Sequence, residues 1–386
     1  MRGSLKLFRI FGIDVQLHFS WWFVFVLLAW SLSSSFFPSY FPGLESKTYW
    51  LMGIVSVLLL FTSVILHELS HSLVAKAKKV KVESITLFFF GGVASIEDEE
   101  LKPSTEFLMA IAGPLFSLLL FAVFYLIYFW NGTSFWTAIT FYLYQLNLIL
   151  ALFNLVPGYP LDGGRAFRAV LNAYYKDIKK ATRIAALGGR AFAMFLILFG
   201  VISIVSGSGS GLWLVLLGGF LYFIAGASYE QVLVKEVLSK INVRKIMVKK
   251  YVPLEAAMRF SEFLKKYQEH DEDIFLVKKE AKGADGKAVA GLLDLKNLNP
   301  IPPKMQKMIS VKQLAVPLSK ATTLQSSDSA YLAYKKFSEQ NLDFLPVLAQ
   351  STLLGFASRR KLMQKLILAL KFGIGVEEGK RNKRYR

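Results

Sequence analysis

The chain has 386 residues, 54% hydrophobic and 15% aromatic, more than a soluble globule carries, so a membrane protein with a soluble part is expected. The absence of cysteine excludes a disulfide framework and any Cys-ligated metal, leaving His, Asp or Glu to hold an ion. The net charge of +19 does not argue for nucleic acid: basic residues flank the apolar runs and crowd the C-terminal third, as positive-inside topology and contact with anionic lipid headgroups require.

Apolar stretches of about spanning length, ~20 residues, fall near 16–37, 49–75, 105–130, 135–156, 187–206 and 210–229, so six crossings are expected. Lys and Arg concentrate near 76–81, 165–190 and after 235, and are nearly absent from 38–48, 131–134 and 207–209. That asymmetry sets both termini on the cytoplasmic side of a cell membrane. Ser31-Leu32-Ser33 after the first run leaves a cleaved leader open, but the long lead-in containing Asp14 favours a retained span. Asn131-Gly132-Thr133 fits a glycosylation acceptor and, in so short a hairpin, reads better as a turn.

The second apolar stretch has no charged residue from Trp50 to Leu66 and then reads His67-Glu68-Leu69-Ser70-His71. Histidines four apart on a helix face the same way and can share one metal ion, with the adjacent glutamate placed to activate water. Ser63, His67, Ser70 and His71 make a polar stripe that a purely structural role could also explain, at a cost of several kcal/mol in lipid unless it serves a partner or an ion. Metal-dependent hydrolysis within the membrane is the reading that uses every member of it. His71 precedes Lys76 by five residues, about 7 Å at ~1.5 Å per residue, which puts the ion nearer the cytoplasmic face.

Between the second and third stretches, Ser84 to Ile96 is β-branched and aromatic and is broken by Gly91-Gly92, which predicts two short strands and a turn. A hairpin at membrane depth needs its backbone groups covered, and an open edge there can take an extended peptide as an added strand. A catalytic zinc takes three protein ligands and keeps one position open. Of the four histidines, His18 and His270 stand outside the motif, so the third ligand is sought among carboxylates. Asp162 is the candidate: Pro157, Gly158, Pro160, Gly163 and Gly164 break the helical path around it, although a plain turn capped by Asp162 fits the same pattern. Asn147 and Asn154 lie two turns apart on the helix leading there; a buried amide near the metal can stabilise an oxyanion, whereas Asn147 reads better as interhelical glue.

With His67-Glu68-Leu69-Ser70-His71, Gly91-Gly92-Val93-Ala94, Ala112-Gly113-Pro114 and the run from Asn154 through Pro157 and Pro160 to Leu161-Asp162-Gly163-Gly164-Arg165 in this order, residues 1–230 resemble the site-2 proteases, intramembrane zinc metalloproteases. The resemblance implies one zinc per chain on His67, His71 and Asp162, with Glu68 as general base and then proton donor. It further implies that Asn154 helps to stabilise the tetrahedral oxyanion and that Gly91, Gly92 and Val93 hold the substrate extended. The implied substrate is a transmembrane protein, such as a membrane-bound transcription factor or anti-sigma factor, in regulated intramembrane proteolysis.

After Ser239 charged residues become frequent and a repeat appears: Val243 to Met247 matches Val311 to Ala315, Asp273 to Val277 matches Asp343 to Val347, and Gly291 to Asp294 matches Gly355 to Ser358. Each copy reads as strand, amphipathic helix, two short strands and a helix, similar to a CBS-domain tandem, a module that commonly senses adenosine nucleotides. Such tandems carry Gly-x-x-Thr/Ser-x-x-Asp; here Gly291 is followed by Asp294 and Asn297, and Gly355 by Ser358 and Lys361, so both ribose-binding carboxylates are missing. A packing or homodimerising module is expected in preference to a nucleotide site. Lys278-Lys279 and Asp285-Gly286 read as surface and turn features.

The fold expected is thus a multi-span α-helical membrane protein with a small β-hairpin, followed by a soluble α/β tandem. Its parts are a protease domain to 230, a linker 231–242, a tandem 243–370 with copies 243–300 and 311–370, and a basic tail 371–386. The alternatives are a non-catalytic membrane receptor or scaffold with a ligand-sensing tail, against which the intact Glu68 counts, and a metal transporter, against which the lack of an inverted repeat counts.

Overall fold

The computed structural model describes residues 4–88, 91–96, 101–130, 135–207, 209, 211–267, 274–278, 289–293, 298, 300–317, 321–350 and 352–372. Asn131-Gly132-Thr133, His270, Lys279, Asp285-Gly286, Asp294, Asn297 and residues 373–386 of the basic tail lie outside them.

Six helices are long and apolar enough to cross a membrane: α1 (Ser20–Tyr40), α2 (Ser46–Ala77), α3 (Pro103–Trp130), α4 (Phe135–Asn154), α6 (Ile178–Val205) and α7 (Gly211–Ser239). A shorter helix, α5 (Asp162–Tyr175), follows α4. Contacts divide the chain into two compact units, residues 1–230 and 231–386.

The first unit opens on a hairpin that the hydropathy pattern conceals. Strands β1 (Ser4–Ile10) and β2 (Ile13–His18) pair antiparallel. The expectation that the first span begins at residue 16 is therefore corrected: Gln16, Leu17 and His18 are strand, and the helix starts at Ser20. Ile13-Asp14-Val15-Gln16-Leu17-His18 alternates apolar and polar, and Ile13, Val15 and Leu17 are all buried, the period-two pattern of a half-buried strand. β2 runs parallel to β3 (Val82–Phe88), which pairs antiparallel with β4 (Gly91–Ile96). The sheet order is β1-β2-β3-β4, so the glycine strand is terminal. Ile13 and Ile85 pack with Leu69 and Leu66 of α2, which seats the sheet on the turn of helix that bears the histidines.

Helix α2 is the centre of the unit. Its apolar residues pack with Trp21, Phe37, Ile139 and Leu143 from α1 and α4. Its small polar residues Ser56, Ser63 and Ser72 are buried. Asn147 of α4 is also buried; its amide donates to Leu143 O (2.9 Å) and to Ser63 Oγ (3.4 Å), joining α4 to α2. That is the interhelical role expected of it, since amides in lipid need partners.

In the second unit β5 (Met247–Val248), β6 (Val252–Leu254), β7 (Phe275–Lys278) and β8 (Val289–Leu293) are answered by β9 (Val316–Pro317), β10 (Leu324–Gln325), β11 (Phe344–Ala349) and β12 (Thr352–Ser358). The copies exchange their first strands: one sheet has the order β6-β7-β8-β9 and the other β10-β11-β12-β5. Helices α8 (Phe260–Tyr267) and α9 (Ala330–Gln340) hold equivalent places, and α10 (Arg359–Phe372) closes the second copy. This crossed pair is the CBS-type tandem. Residues 231–239 differ from the expected linker: they continue α7, and Val237 and Leu238, with Ile241, are buried in the core around Phe337 and Leu345. Apolar residues spaced as in a helix make that stretch an integral part of the second unit.

Candidate active site

The site forms where α2, α3 and α5 meet. His67 and His71 are buried on one face of α2 with rings in edge-to-face contact. Each ring is held by its Nδ1: that of His71 donates to Met109 O at 2.6 Å, and that of His67 lies 2.8 Å from Ser117 Oγ, both partners being on α3. The Nε2 atoms are thereby turned towards each other, 3.2 Å apart. The Met109 carbonyl, a pure acceptor, fixes the Nδ1–H tautomer of His71, and both Nδ1 contacts leave Nε2 as the metal-binding atom.

Asp162 reaches these atoms from the first residue of α5. α4 ends at Asn154, and the chain turns through Pro157 and a cis Tyr159–Pro160 bond to an extended Leu161. Tyr159 N–H donates to Ala185 O of α6 (3.0 Å), and Leu161 N–H to Gly158 O (3.0 Å), so the turn is pinned at both ends. Asp162 Oδ2 then stands 3.3 Å from His67 Nε2 and 3.1 Å from His71 Nε2. Burial alone would push this carboxyl up, but hydrogen bonding to the two imidazoles and the nearby charges of His71 and Arg165 hold it below the usual carboxylate range.

Three ligand-type atoms separated by 3.1–3.3 Å match a zinc ion: two ligands about 2.0–2.1 Å from a tetrahedral zinc stand about 3.3 Å apart. The opposing wall is cut back to admit an ion. Gly113 of α3 faces the rings, and a Cβ there would lie 2.6 Å from His67 Nε2 and collide with His71. Only glycine allows α3 this close to the cluster.

Glu68, between His67 and His71 in the sequence, lies against β4. A Cβ on Gly92 would come within 3.0 Å of Glu68 Cδ and 3.2 Å of Oε1, so the carboxyl lies directly against the strand backbone. Gly91, Gly92 and Val93 pair with Phe88, Leu87 and Thr86 of β3. Asn154 is the exception among the expected site residues: it ends α4, half-buried, and makes no hydrogen bond to the cluster among the described residues. His18 also stays outside, its Nδ1 being 2.9 Å from Ser20 Oγ at the end of β2.

Two groups beside the cluster have partners that the sequence pattern does not assign. Arg165 Nη1 lies 3.9 Å from Asp162 Oδ1. Arg168, one turn on, makes an ion pair with the buried Glu106 of α3, its Nε donating to Oε1 at 2.7 Å, and stacks on Tyr159 with its guanidinium 4.8 Å from the ring centroid. The pair ties α3, which orients both imidazoles, to α5, which carries Asp162. A carboxylate one turn into the apolar α3 was the available signal, but its partner lies 62 residues away.

Two histidines and a glutamate on one membrane-spanning helix, completed by a carboxylate from the start of the short helix α5, define a membrane metallopeptidase. Residues 55–198 match the model of peptidase family M50. The Synechocystis sp. protein sll0528 is 32% identical over 359 residues, 91% of this chain and 92% of that one. Zinc metalloprotease MJ0392 of Methanocaldococcus jannaschii is 34% identical over 266 residues, 68% of this chain and 72% of its own. The solved site-2 protease from the same archaeon covers 58% of this chain and 94% of that one at 33% identity, with a TM-score of 0.40. The chain belongs to peptidase family M50, the site-2 proteases, and is a membrane zinc metalloprotease with a C-terminal CBS-type tandem.

Proposed function

We propose that the chain is an intramembrane endopeptidase that cuts a peptide bond in or near the transmembrane segment of a membrane-protein substrate, in regulated proteolysis of membrane-anchored regulators. The observation that carries this reading is the 3.1–3.3 Å triangle of His67 Nε2, His71 Nε2 and Asp162 Oδ2, built on the membrane-spanning helix α2 and the first residue of the short helix α5. His67, His71 and Asp162 are the ligands in this proposal. Zinc, when bound, supplies the positive charge that acidifies water and polarises a carbonyl.

The remaining steps fall to side chains of this chain. Glu68 accepts the proton of the attacking water and passes it to the leaving amine nitrogen, which balances the hydrolysis. The outer edge of β4 at Gly91, Gly92 and Val93, terminal among the described strands, takes the substrate as an added strand, its N–H and C=O groups pairing with the peptide. This exposes the scissile carbonyl, which a helix would shield with its own hydrogen bonds. Asn154, at the end of α4, donates its amide to the oxyanion; it closes on the cluster when substrate is bound, as active-site hydrogen bonds commonly do. The distribution of Lys and Arg puts both termini in the cytoplasm, with the cluster nearer that face. The tandem is a packing or homodimerising module.

The test is cleavage of transmembrane-helix reporters by the purified full-length protein, comparing wild type, Glu68→Gln and chelator-treated samples with bound zinc measured in each. Glu68→Gln is expected to keep about one zinc per chain and lose about 10²–10⁴-fold in rate. A wild type that binds no zinc when supplied with it would sink the ligand assignment. Undiminished cleavage by a zinc-loaded Glu68→Gln would sink the role of the base.

A further inference from the structure

A second polar site lies on α6, away from the metal cluster. Arg183, Ala186, Leu187 and Arg190 recur on one helix face and, with Tyr229 of α7, line a pocket of about 300 Å³. Arg190 reaches across to α7, where its guanidinium stands 5.3 Å from the Tyr222 ring centroid and lies against Gly226. Its Nε is buried with no hydrogen-bond partner among the described residues. Among the described residues of this unit, Arg9, Arg165 and Arg168 form ion pairs, whereas Arg183 and Arg190 join no carboxylate. An unsatisfied guanidinium N–H in a basic pocket is a donor waiting for an anion.

The depth of the pocket limits what that anion is. A hydrocarbon core of ~30 Å takes about 20 helical residues. Measured back from Val205, the end of α6, its other boundary falls near Ala186, between the two arginines. Arg183 therefore stands at headgroup level, and Arg190 just below it within reach of the interface by snorkelling. From Arg190 the same helix face continues through Met194 and Leu198, both exposed and apolar. The site is thus cationic at one end and runs into a lipid-facing apolar ridge at the other, the profile of an amphiphile and not of a free ion.

We propose that this pocket binds the phosphodiester of an anionic phospholipid, held between Arg183 and Arg190 with the Tyr229 hydroxyl alongside, and with an acyl chain along Met194 and Leu198. Basic pockets between transmembrane helices are suited to such headgroups because the phosphate meets desolvated donors.

The experiment is native mass spectrometry of the full-length protein in detergent, offered phosphatidylglycerol or phosphatidylcholine, with and without inorganic phosphate. Wild type is expected to retain phosphatidylglycerol in preference to phosphatidylcholine, and Arg183→Gln/Arg190→Gln to retain it about 30-fold less. Lys179→Gln/Lys180→Gln, which removes the same charge from the first turn of α6, is expected to leave this retention within about twofold of wild type. Arg190→Lys, which keeps the charge, separates loss of lipid from loss of fold. If the double glutamine variant does not fold, Arg183→Gln alone, at an exposed position, is expected to cost about fivefold. Equal retention of both lipids by wild type, or phosphatidylglycerol retention unchanged by folded arginine-to-glutamine variants, overturns the proposal. Displacement of the lipid by inorganic phosphate at comparable concentration overturns its lipid source.

Discussion

The metal cluster and the tandem solve the problem of burial in opposite ways. In the first unit, chemistry-bearing groups from α2 and α5 are gathered so that their ligand atoms all lie within 4.8 Å of one another, and nearby buried atoms serve to hold them. In the second, the same architecture is written twice, strands are exchanged between the copies, and the cores around Phe337 and Phe263 are apolar. A buried serine in the one orients an imidazole; a buried serine in the other, Ser358, only accepts a hydrogen bond from Lys361 N–H (3.4 Å) at the start of α10. Ser117 is thus held to the metal cluster, whereas Ser358 caps a helix.

The sharpest way to break this contrast is Asp162→Asn, which keeps the volume and removes the charge that completes the cluster. Zinc content is expected to fall below one per chain, and reporter cleavage by at least about a thousandfold, read by metal analysis and turnover. Next in size is Arg168→Ala. It leaves Glu106 as an uncompensated buried charge and should cost about 3–5 kcal/mol in thermal unfolding, with substantial recovery in a double variant carrying Glu106→Gln, which shows the loss is electrostatic. Ser117→Ala removes the partner of His67 Nδ1 and should weaken zinc about 10–100-fold in competition with a chelator, with little change in unfolding. Smallest is Ser358→Ala, expected to cost about 1 kcal/mol in denaturation of the tandem and to leave zinc affinity unchanged. If the two serine variants behaved alike, the distinction between the regions would fail.

Much of this was legible along the chain because its signals are local. Histidines four apart, the run of prolines and glycines around Asp162 and the stretches of spanning length are short-range patterns, the repeat after Ser239 is a direct recurrence of such patterns, and each corresponds to an element or a set of elements in the structure. What was missed is either masked by composition or non-local. The alternation of Ile13 to His18 is swallowed by the apolar run that follows, so a hydropathy window extends the helix over a strand. α6 starts at Ile178 and not near 187, because Lys179, Lys180 and Arg183 depress hydropathy without breaking the helix, which continues out of the membrane. Gly113 reads as an ordinary small residue until α3 is seen against the imidazoles, and the orphaned Nε of Arg190 is visible only once α7 covers it.

The sequence by itself determined the class of the molecule, the number of its crossings and the residue types able to hold a metal, since helix period, span length and ligand chemistry depend on neighbours a few positions apart. Only the tertiary structure decided which atoms meet. The Nε2 atoms of His67 and His71 face Asp162 because Met109 and Ser117 hold the rings from behind, and α5 stands at the right height because Tyr159 is tied to Ala185 and Arg168 to Glu106. Those partners are 38 to 62 residues apart along the chain, apart from the closer Tyr159 and Ala185, and their pairing is set by the packing of helices that the sequence pattern specifies only one at a time.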